Sequence, residues 1–318
     1  MRKEKVLVTG GAGFIGSHLV ERLLKEGFFV RVLDNFSTGD QNNLTKTEHL
    51  ELIEGDLRSE NDLDRAVDGV SFILHQAALG SVPRSIDDPL TTHECNATGT
   101  LKLLLAAKQA KVKRLVYASS SSVYGDTPVL PKIETMNTNP RSPYALSKLA
   151  GEIYCKLFNS LYGLETVCLR YFNVFGPRQS AESQYAAVIP CFLKALLESR
   201  PVTIYGDGEQ TRDFTYVENV VEANLLAMTA PHIPGEIFNI ACGERYSVKR
   251  LAQELSRAVN LPLSVEYRQA RPGDVRDSFA DIKKAEQAFG YQPKITFQKA
   301  IEETAKWSLT KAKIESQN

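Results

Sequence analysis

The stretch VLVTGGAGFIG at residues 6–16 decides how the chain begins to fold. A short apolar run is followed at once by a glycine-rich turn, and the residues after it carry apolar side chains at helical spacing. Gly11, Gly13 and Gly16 fit the pattern G-x-G-x-x-G, while Gly10 with the last two fits G-x-x-G-x-x-G. Such a turn lets a pyrophosphate approach bare backbone, and the helix N-terminus offers it N–H groups and a partial positive charge. The pattern predicts a strand, a dinucleotide-binding turn and a helix.

A second apolar strand is predicted at residues 28–33, and it ends at Asp34, 18 residues after Gly16. A carboxylate at this place can accept hydrogen bonds from the ribose hydroxyls next to adenine, and it would repel a 2′-phosphate. We therefore expect NAD rather than NADP as the cofactor. The alternative is that Asp34 only forms a turn with Asn35.

The bulk composition excludes several classes of partner. The 318 residues contain 38 Lys plus Arg and 38 Asp plus Glu, so no net charge attracts nucleic acid or an anionic membrane surface. The apolar stretches are far shorter than the roughly 20 residues of a membrane helix, and the first strand follows the N-terminus too closely for a signal peptide. Five scattered cysteines and five scattered histidines predict neither a disulfide framework nor a metal site. We expect a cytoplasmic protein of roughly two domains.

Strands and helices alternate through the first half of the chain. Strands are predicted at residues 50–53, 72–75, 115–118 and 165–169, and helices at 60–67 and 91–109. This alternation predicts an α/β fold with a Rossmann-type doubly wound parallel sheet, whose ligands lie at the carboxyl ends of the strands. After residue 173 the pattern weakens to a short strand at 202–205 and a last amphipathic helix at 297–309, with a tail after Thr310.

Polar and small residues follow these strands. Asp56 comes after the third strand, where it either contacts the adenine or caps the next helix. The segment 76–78 after the fourth strand is Gln-Ala-Ala, which leaves room for the phosphates and ribose of the cofactor. The serines at 119–122 follow the fifth strand; we expect at least one to face the ligand and the others to cap backbone groups.

A tyrosine and a lysine form the predicted acid–base pair. A helix is expected to start near Ser142 with Pro143 at its first position, which puts Tyr144 and Lys148 on one face, one turn apart. A free tyrosine has a pKa of about 10. The adjacent ammonium and the positive ring of oxidised NAD favour the phenolate, so Tyr144 is predicted to act as a general base near neutral pH.

Together, these motifs resemble those of the extended short-chain dehydrogenase/reductases, specifically the nucleotide-sugar 4-epimerases, over essentially the whole chain. The matching segments are 9–16, 119–122, Tyr144 with Lys148, 170–173, 212–214 and 271–274. The resemblance implies a dinucleotide-binding domain at 1–173, to which roughly 213–240 return, and a smaller mixed α/β substrate domain at 174–318. It also implies, by analogy, a homodimer paired through the helices at 91–109 and 142–162.

The resemblance also implies site residues. Aligned on the segment 123–125, it places the catalytic hydroxyl on Ser120, beside Tyr144 and Lys148, with Ser121 or Ser122 able to share the role. Arg212 and Arg271 are expected to hold the diphosphate and Asp274 the ribose of the nucleotide. The residues expected to bind the cofactor are Gly10, Gly13, Phe14, Ile15, Gly16, Asp34, Asn35, Ser37, Thr38, Gly39, Asp56, Leu57, Gln76, Ala77, Ala78, Tyr144, Lys148 and Tyr171. Those expected to bind the substrate are Ser81, Arg84, Ser120, Ser121, Ser122, Tyr144, Asn173, Ala187, Val188, Tyr205, Arg212, Arg271, Asp274 and Ser278.

The implied reaction is C4 epimerisation of a UDP-sugar. Tyr144 takes the proton of the 4-hydroxyl, C4 loses hydride, and the 4-keto sugar turns before hydride returns to the opposite face. Related dehydratases and decarboxylases carry acidic residues just before the Val-Tyr-Gly segment, where this chain has Ser121 and Ser122, so those reactions are less favoured. A non-catalytic NAD-binding regulator is the alternative from another class, and the presence of both Tyr144 and Lys148 argues against it.

The choice of sugar is predicted from Ser278, four residues after Asp274. Similar epimerases of plain hexoses carry a bulky aromatic residue there, whereas serine leaves space for an N-acetyl group on C2. Residues 80–85 also resemble the subgroup acting on UDP-N-acetylhexosamines. We expect UDP-N-acetylglucosamine and UDP-N-acetylgalactosamine as substrates, with UDP-glucose and UDP-galactose also accepted. A UDP-glucuronate 4-epimerase is the alternative, because Arg84 is placed to hold a carboxylate.

Overall fold

The computed structural model describes residues 4–181, 187–269 and 275–315. In chain order its strands are β1 (Lys5–Thr9), β2 (Phe29–Asp34), β3 (Leu50–Glu54), β4 (Phe72–His75), β5 (Arg114–Ser120), β6 (Glu165–Tyr171), β7 (Val174–Phe175), β8 (Val202–Tyr205), β9 (Thr211–Arg212), β10 (Thr215–Tyr216), β11 (Ile237–Ile240), β12 (Tyr246–Ser247) and β13 (Val265–Arg268). Its helices are α1 (Phe14–Lys25), α2 (Glu60–Val67), α3 (Val82–Asp87), α4 (Pro89–His93), α5 (Gly99–Gln109), α6 (Pro143–Tyr162), α7 (Val188–Leu197), α8 (Val217–Thr229), α9 (Val248–Val259), α10 (Lys283–Phe289) and α11 (Phe297–Glu315).

The apolar runs of the first half pair into one seven-stranded sheet in the order β11-β6-β5-β4-β1-β2-β3. All neighbouring strands in it are parallel. The strands are apolar on both faces because helices cover both sides: α1 and α8 pack on one face, and α2, α5 and α6 on the other. This arrangement confirms the predicted Rossmann-type doubly wound fold, and it brings the carboxyl ends of β1, β4, β5 and β6 to one edge.

The second half of the chain contributes to two bodies of structure. The strand β11 is the edge strand of the large sheet, beside β6, and the helix α8 packs on one face of that sheet. The helices α7, α9 and α11 surround the small parallel pair of β8 and β13, and they form a separate apolar cluster. The proposed domain boundary after residue 173 stays a prediction.

The predicted helix at 91–109 is interrupted. α4 ends at His93, a π-helical turn spans Glu94–Thr98, and α5 then begins at Gly99. Asn96 lies in this turn, where its side chain accepts a hydrogen bond from the backbone N–H of Leu79 at 2.8 Å and donates one to the Ser147 hydroxyl at 3.1 Å. The extra residue in the turn therefore orients Asn96 toward the carboxyl end of the sheet.

Other boundaries also differ from those predicted. α1 begins at Phe14, directly on the glycine turn, and α11 continues to Glu315 where a tail after Thr310 was expected. Ser59, and not Asp56, caps α2 by accepting from the N–H of Asp62. The expected start of α6 is confirmed, because Ser142 accepts from the N–H of Ala145 at 3.1 Å and Pro143 is the first helical residue. Within the described residues, no helix combines the length and apolar character needed to cross a membrane.

Candidate active site

The glycine turn after β1 forms a bare backbone cradle. Gly10 has φ +66°, and a Cβ there would lie 2.8 Å from the Cα of Ala77. A Cβ on Gly16 would lie 2.0 Å from the carbonyl oxygen of Gly10, so only glycine lets α1 start this close to the turn. The first N–H groups of a helix have no acceptor within it. The cradle therefore fits a pyrophosphate at the N-terminus of α1.

Asp34 is held rigidly at the end of β2. Its Oδ2 accepts the N–H of Ala12 and its Oδ1 the N–H of Phe36, each at 2.9 Å. The bond to Phe36 shows that Asp34 does form a turn, as the alternative interpretation held. Because each carboxylate oxygen has more than one lone pair, this turn leaves acceptors for the two ribose hydroxyls. The buried carboxylate thus fits NAD.

A cavity beside this turn is lined largely by residues predicted to bind the cofactor. Four lining residues were not predicted: Leu33, Gly55 and Leu79 each adjoin a predicted residue in the sequence, whereas Cys95 does not. Cys95 reaches the cavity from the π-helical turn, a feature that the sequence did not signal. The lining residues are Gly10, Leu33, Asn35, Ser37, Thr38, Gly55, Asp56, Leu57, Gln76, Ala77, Ala78, Leu79 and Cys95.

Asp56 faces this cavity rather than the end of α2. Its carboxylate accepts from Nε and Nη2 of Arg58, at 2.9 and 2.8 Å, and from the side-chain amide of Asn35 at 2.8 Å. These hydrogen bonds hold the pKa of the Asp56 carboxyl well below its usual range, and those from Arg58 have the largest effect. Asp56 is therefore an anionic acceptor at the edge of the cavity, and its other predicted role as a helix cap is wrong.

Gln76 and Tyr171, both predicted to contact the cofactor, meet in one buried network. The amide of Asn224 donates to the Tyr171 hydroxyl at 2.8 Å, and the amide of Gln76 donates to it at 3.2 Å. Burial raises the pKa of Tyr171 to about 12, so this phenol stays neutral. The network fixes the ends of β4 and β6 beside the cradle.

The serines of the run 119–122 have separate partners. Ser119 points into the core and donates to Glu152. Ser120 ends β5, and its side chain is near enough to the Tyr144 phenol to lower the pKa of that phenol, against the larger effect of burial. The hydroxyl of Ser122 donates to that of Ser120 at 2.9 Å, and Ser121 begins a short 3-10 helix. Ser120 is thus the serine whose side chain acts on the Tyr144 phenol, and Ser122 contacts Ser120.

Burial dominates the ionisation of the tyrosine–lysine pair. It raises the pKa of Tyr144, against the opposing effect of the Ser120 hydrogen bond. It lowers the pKa of Lys148 to about 8. The ammonium of Lys148 donates to the carbonyl oxygen of Ala118 at 2.8 Å, which fixes it under the end of β5. The protein alone thus raises the pKa of Tyr144, where the sequence predicted a lowered value, because burial outweighs the neighbouring groups.

His75 is a further titratable side chain near Lys148, and its environment keeps it neutral. Its ring nitrogens are hydrogen-bonded to the hydroxyls of Thr9 at 2.7 Å and Thr100 at 2.9 Å. Burial, helped by the charge of Lys148, lowers the pKa of His75 to about 3. With both nitrogens occupied inside the protein, His75 is not suited to act as the general base.

Three predicted substrate residues come together beyond β6. Asn173, in a left-handed conformation with φ +34°, donates from its amide to the Ser278 hydroxyl at 3.2 Å and to the carbonyl oxygen of Asp213 at 3.1 Å. Arg212 lies beside Asp213, and its guanidinium donates to the carbonyl oxygens of Thr211 and Arg276 at 2.8 and 2.9 Å. The segment after 275 is therefore joined to the end of β6.

Asp213 anchors this substrate segment, although no separate role was predicted for it. Its carboxylate accepts the N–H groups of Cys242, Gly243 and Ala280, at 2.9, 3.2 and 3.3 Å. Burial raises the pKa of Asp213 to about 7. The three bonds tie the chain just after Ser278 to the loop that follows β11.

The other predicted substrate residues lie at element ends. Ser81 caps α3 by accepting the N–H of Arg84 at 3.2 Å, so the serine hydroxyl has a structural role there. Ala187 and Val188 open α7, and Tyr205 ends β8. Arg271 and Asp274 lie outside the described residues. Among the residues that are described, no three His, Cys, Asp or Glu side chains are grouped to hold a metal ion.

Comparisons with known proteins agree with this geometry. A family model described as "NAD dependent epimerase/dehydratase family" matches residues 6–241. The chain is 38% identical to the UDP-glucose 4-epimerase of Mycolicibacterium smegmatis over 318 residues, covering 97% of this chain and 99% of the relative.

Two solved structures resemble it over almost their whole length. One is the UDP-N-acetylglucosamine 4-epimerase of Methanobrevibacter ruminantium in complex with UDP-N-acetylmuramic acid, with a TM-score of 0.93 and 40% identity over 98% of this chain and 100% of that one. The other is the UDP-glucose 4-epimerase of Thermus thermophilus in complex with NAD, with a TM-score of 0.88 and 37% identity over 96% and 99%.

Proposed function

Since this chain belongs to the NAD-dependent epimerase/dehydratase family, we propose that it interconverts the C4 epimers of a UDP-sugar. The observation that carries the proposal is the grouping of Ser120 beside the Tyr144 phenol, with Lys148 one helical turn away on the same face of α6. A hydroxyl, a phenol and an ammonium in this order can move a proton to and from a substrate hydroxyl. The related 4-epimerases of known structure support the same reaction.

In the proposed mechanism the protein holds the proton and positions the sugar. Bound NAD supplies the hydride acceptor, and later the hydride donor, for C4 of the sugar. Tyr144 takes the proton of the 4-hydroxyl as C4 is oxidised, and Ser120 shares that hydrogen bond. Lys148, one turn further along the same face of α6, would supply a positive charge that favours the anionic form of the phenol. The same tyrosine returns the proton after the 4-keto sugar has turned and been reduced on its other face.

We assign the cofactor's parts to particular residues of the cradle and the cavity. Gly10, Gly13 and the first turn of α1 would hold the pyrophosphate, Asp34 the adenosine ribose, and Asp56 the edge of the adenine site. This assignment rests on the close packing at Gly10 and Gly16 and on the fixed orientation of the Asp34 carboxylate. It stays a proposal for each residue.

The residues beside Tyr144 favour epimerisation over elimination or decarboxylation. At positions 121 and 122, where such enzymes would need an acid, the chain has two hydroxyls, and that of Ser122 donates to Ser120. The nearest described carboxylate on α6, that of Glu152, is buried and paired with Arg170. A paired and desolvated carboxylate is poorly placed to donate a proton to the sugar.

For the sugar itself, we propose UDP-N-acetylglucosamine and UDP-N-acetylgalactosamine. Support comes from the small side chain of Ser278, whose hydroxyl accepts a hydrogen bond from the amide of Asn173. The related proteins act on different UDP-sugars, so their names do not decide between the acetylated and the plain hexose. UDP-glucuronate remains a second candidate because the half-buried Arg84 lies in α3, on the segment that follows β4, and could pair with a carboxylate.

We also propose that the enzyme is a homodimer paired through α6 and its neighbour α5. The outer side of α6 carries a stripe of exposed apolar residues, namely Leu146, Ile153, Leu157 and Leu161. Covering such a stripe would remove apolar surface from water. Light scattering should give twice the mass of the chain for the wild type and one chain mass for Ile153→Glu; a wild-type monomer would contradict the proposal. The cytoplasmic location stays an expectation.

The test of the proposed function uses purified protein without added NAD. It is incubated separately with UDP-N-acetylglucosamine, UDP-glucose and UDP-glucuronate, and the C4 epimers are resolved by proton NMR. We expect an epimer mixture from the acetylated sugar. A mixture only from another sugar would retain the reaction and overturn the choice of substrate, while no epimer from any sugar, even after NAD is added, would overturn the function.

A further inference from the structure

A buried ion pair joins the helix that carries Tyr144 to the strand beside Ser120. Arg170 on β6 donates from Nε and Nη2 to the two carboxylate oxygens of Glu152 on α6, each at 2.8 Å. The side chains are 3% and 2% exposed, respectively. Two parallel bonds of this kind fix the orientation of both groups as well as their distance.

The same carboxylate also binds β5. The hydroxyl of Ser119 donates to the Glu152 oxygen that Nε of Arg170 contacts. Ser119 lies opposite Arg170 in the register of β5 and β6, and it directly precedes Ser120. Glu152 therefore ties α6 to the carboxyl ends of two neighbouring strands, one of which ends at Ser120.

The position of Glu152 on α6 relates this tie to the proton-transfer groups. Tyr144, Lys148 and Glu152 follow one another at intervals of four residues, so they lie along one face of the helix. Between the last two, Gly151 allows a close approach to β5: a Cβ there would lie 2.2 Å from the hydroxyl oxygen of Tyr117. The helix α6 thus packs closely against β5, and the hydrogen bond between Ser119 and Glu152 helps to set their relative position.

We propose that Glu152 and Arg170 are positioning residues for the proposed epimerisation, on which this inference rests: they hold the end of β5, and with it Ser120, in place beside the face of α6 that carries Tyr144. Neither group needs to touch the sugar for this. A displacement of about 1 Å between reacting groups can cost on the order of 100-fold in rate, even when its cause lies away from the chemistry. The ion pair would raise kcat by keeping α6 and the end of β5 in a fixed relative position.

If the ion pair served only the stability of the fold, its removal would have a different effect. A buried ion pair can often be replaced by apolar side chains of similar size with no loss of stability, whereas removal of one partner leaves a buried charge unpaired. A double replacement therefore separates the two roles. The variant Glu152→Leu/Arg170→Met removes both charges and keeps the interior filled.

The experiment measures the full-length enzyme with its NAD bound. For the double variant we expect kcat to fall at least tenfold, KM for the UDP-sugar to stay within twofold, and the NAD content and melting temperature to match the wild type. A kcat within twofold of the wild type at an unchanged melting temperature would overturn the inference. A wild type that epimerises no UDP-sugar would overturn the proposed function, and this inference with it.

The chain offers a comparison pair at the other end of the same strands, in which the carboxylate is 46% exposed. Arg114 on β5 donates from Nε and Nη2 to Glu165 on β6, at 2.9 and 2.6 Å, far from the serine run. Glu165→Gln should leave kcat unchanged, while Glu152→Gln should lower it severalfold. Equal effects of the two substitutions would contradict the positioning role.

A milder variant decides the question if the double variant does not fold. Ser119→Ala leaves the ion pair intact and removes only the hydroxyl bond between β5 and Glu152. We expect kcat to fall at least threefold with KM unchanged. An unchanged kcat would show that the tie does not position Ser120, and the inference would then fail.

Discussion

The side-chain amide of Asn173 donates a hydrogen bond to the hydroxyl of Ser278 at 3.2 Å, although the two residues are 105 positions apart in the chain. Asn173 follows the end of β6, and Ser278 lies on the segment that Asp213 anchors two residues later at Ala280. The bond therefore connects the large sheet to the part of the chain expected to surround the sugar.

The first prediction concerns the space at Ser278. In Ser278→Tyr, the ring should fill the volume proposed for the N-acetyl group, and a steric cost of a few kcal/mol corresponds to roughly 100-fold in kcat/KM. We expect that loss for UDP-N-acetylglucosamine and a change of less than about fivefold for UDP-glucose. Steady-state kinetics on both sugars measure it. Ser278→Ala, which keeps the space, is the control; full activity of Ser278→Tyr on the acetylated sugar would refute the pocket.

A second prediction concerns the phenol of Tyr144. Tyr144→Phe removes the group proposed to carry the proton, so kcat should fall by about 100-fold to 10,000-fold, the usual contribution of general acid–base catalysis. The amount of bound NAD should stay the same, because the ring remains in place. Tyr154→Phe, on the same helix and outside the proposed site, should keep full activity. Residual activity of Tyr144→Phe near the wild-type level would mean that another group carries the proton.

The third prediction is a pH dependence of stability that comes from Lys148. Burial disfavours its ammonium and lowers its pKa from the ordinary value of 10.5, expected in the unfolded chain, to about 8 in the folded protein. Between these values the unfolded chain binds more protons than the folded one, so the free energy of unfolding should rise with pH across this window. The shift corresponds to roughly 3 kcal/mol.

Denaturant unfolding of NAD-free protein at several pH values between about 8 and 10 measures this effect. Lys148→Met lacks the titrating group, so its stability should rise less steeply with pH than that of the wild type. Other groups titrate in the same range in both proteins, which is why the difference between the two curves is the informative quantity. Parallel curves would show that Lys148 keeps an ordinary pKa.

The sequence predicted those parts of the fold that depend on local patterns. The bounds of α2 and β4 are as predicted, because each is a short run whose pattern of apolar residues is interrupted on both sides by polar or glycine residues. The start of α6 was also predictable, since Ser142 and Pro143 are a local start signal. The glycine turn was also predictable, because the spacing of its glycines depends only on the local junction between β1 and α1.

Other features depend on contacts that no local pattern carries. The π-helical turn at Glu94–Thr98 lies inside a segment with ordinary helical periodicity, and it brings Cys95 to the cofactor cavity. The raised pKa of Tyr144 depends on how deeply its hydroxyl is buried, which spacing on a helix does not reveal. Arg170 belonged to a recognised motif, yet its partner Glu152 became visible only when the strands and α6 were placed together.

The most direct measurement follows a deuterium label on C4 of the sugar. UDP-N-acetylglucosamine carrying deuterium at C4 is converted in ordinary water, and unlabelled sugar is converted in heavy water; both products are read by NMR and mass spectrometry. If C4 is oxidised and reduced again with the same hydride, the labelled product should keep its deuterium and the unlabelled product should gain none at C4. Loss of the label to water, or uptake of solvent deuterium at C4, would contradict epimerisation through a 4-keto sugar.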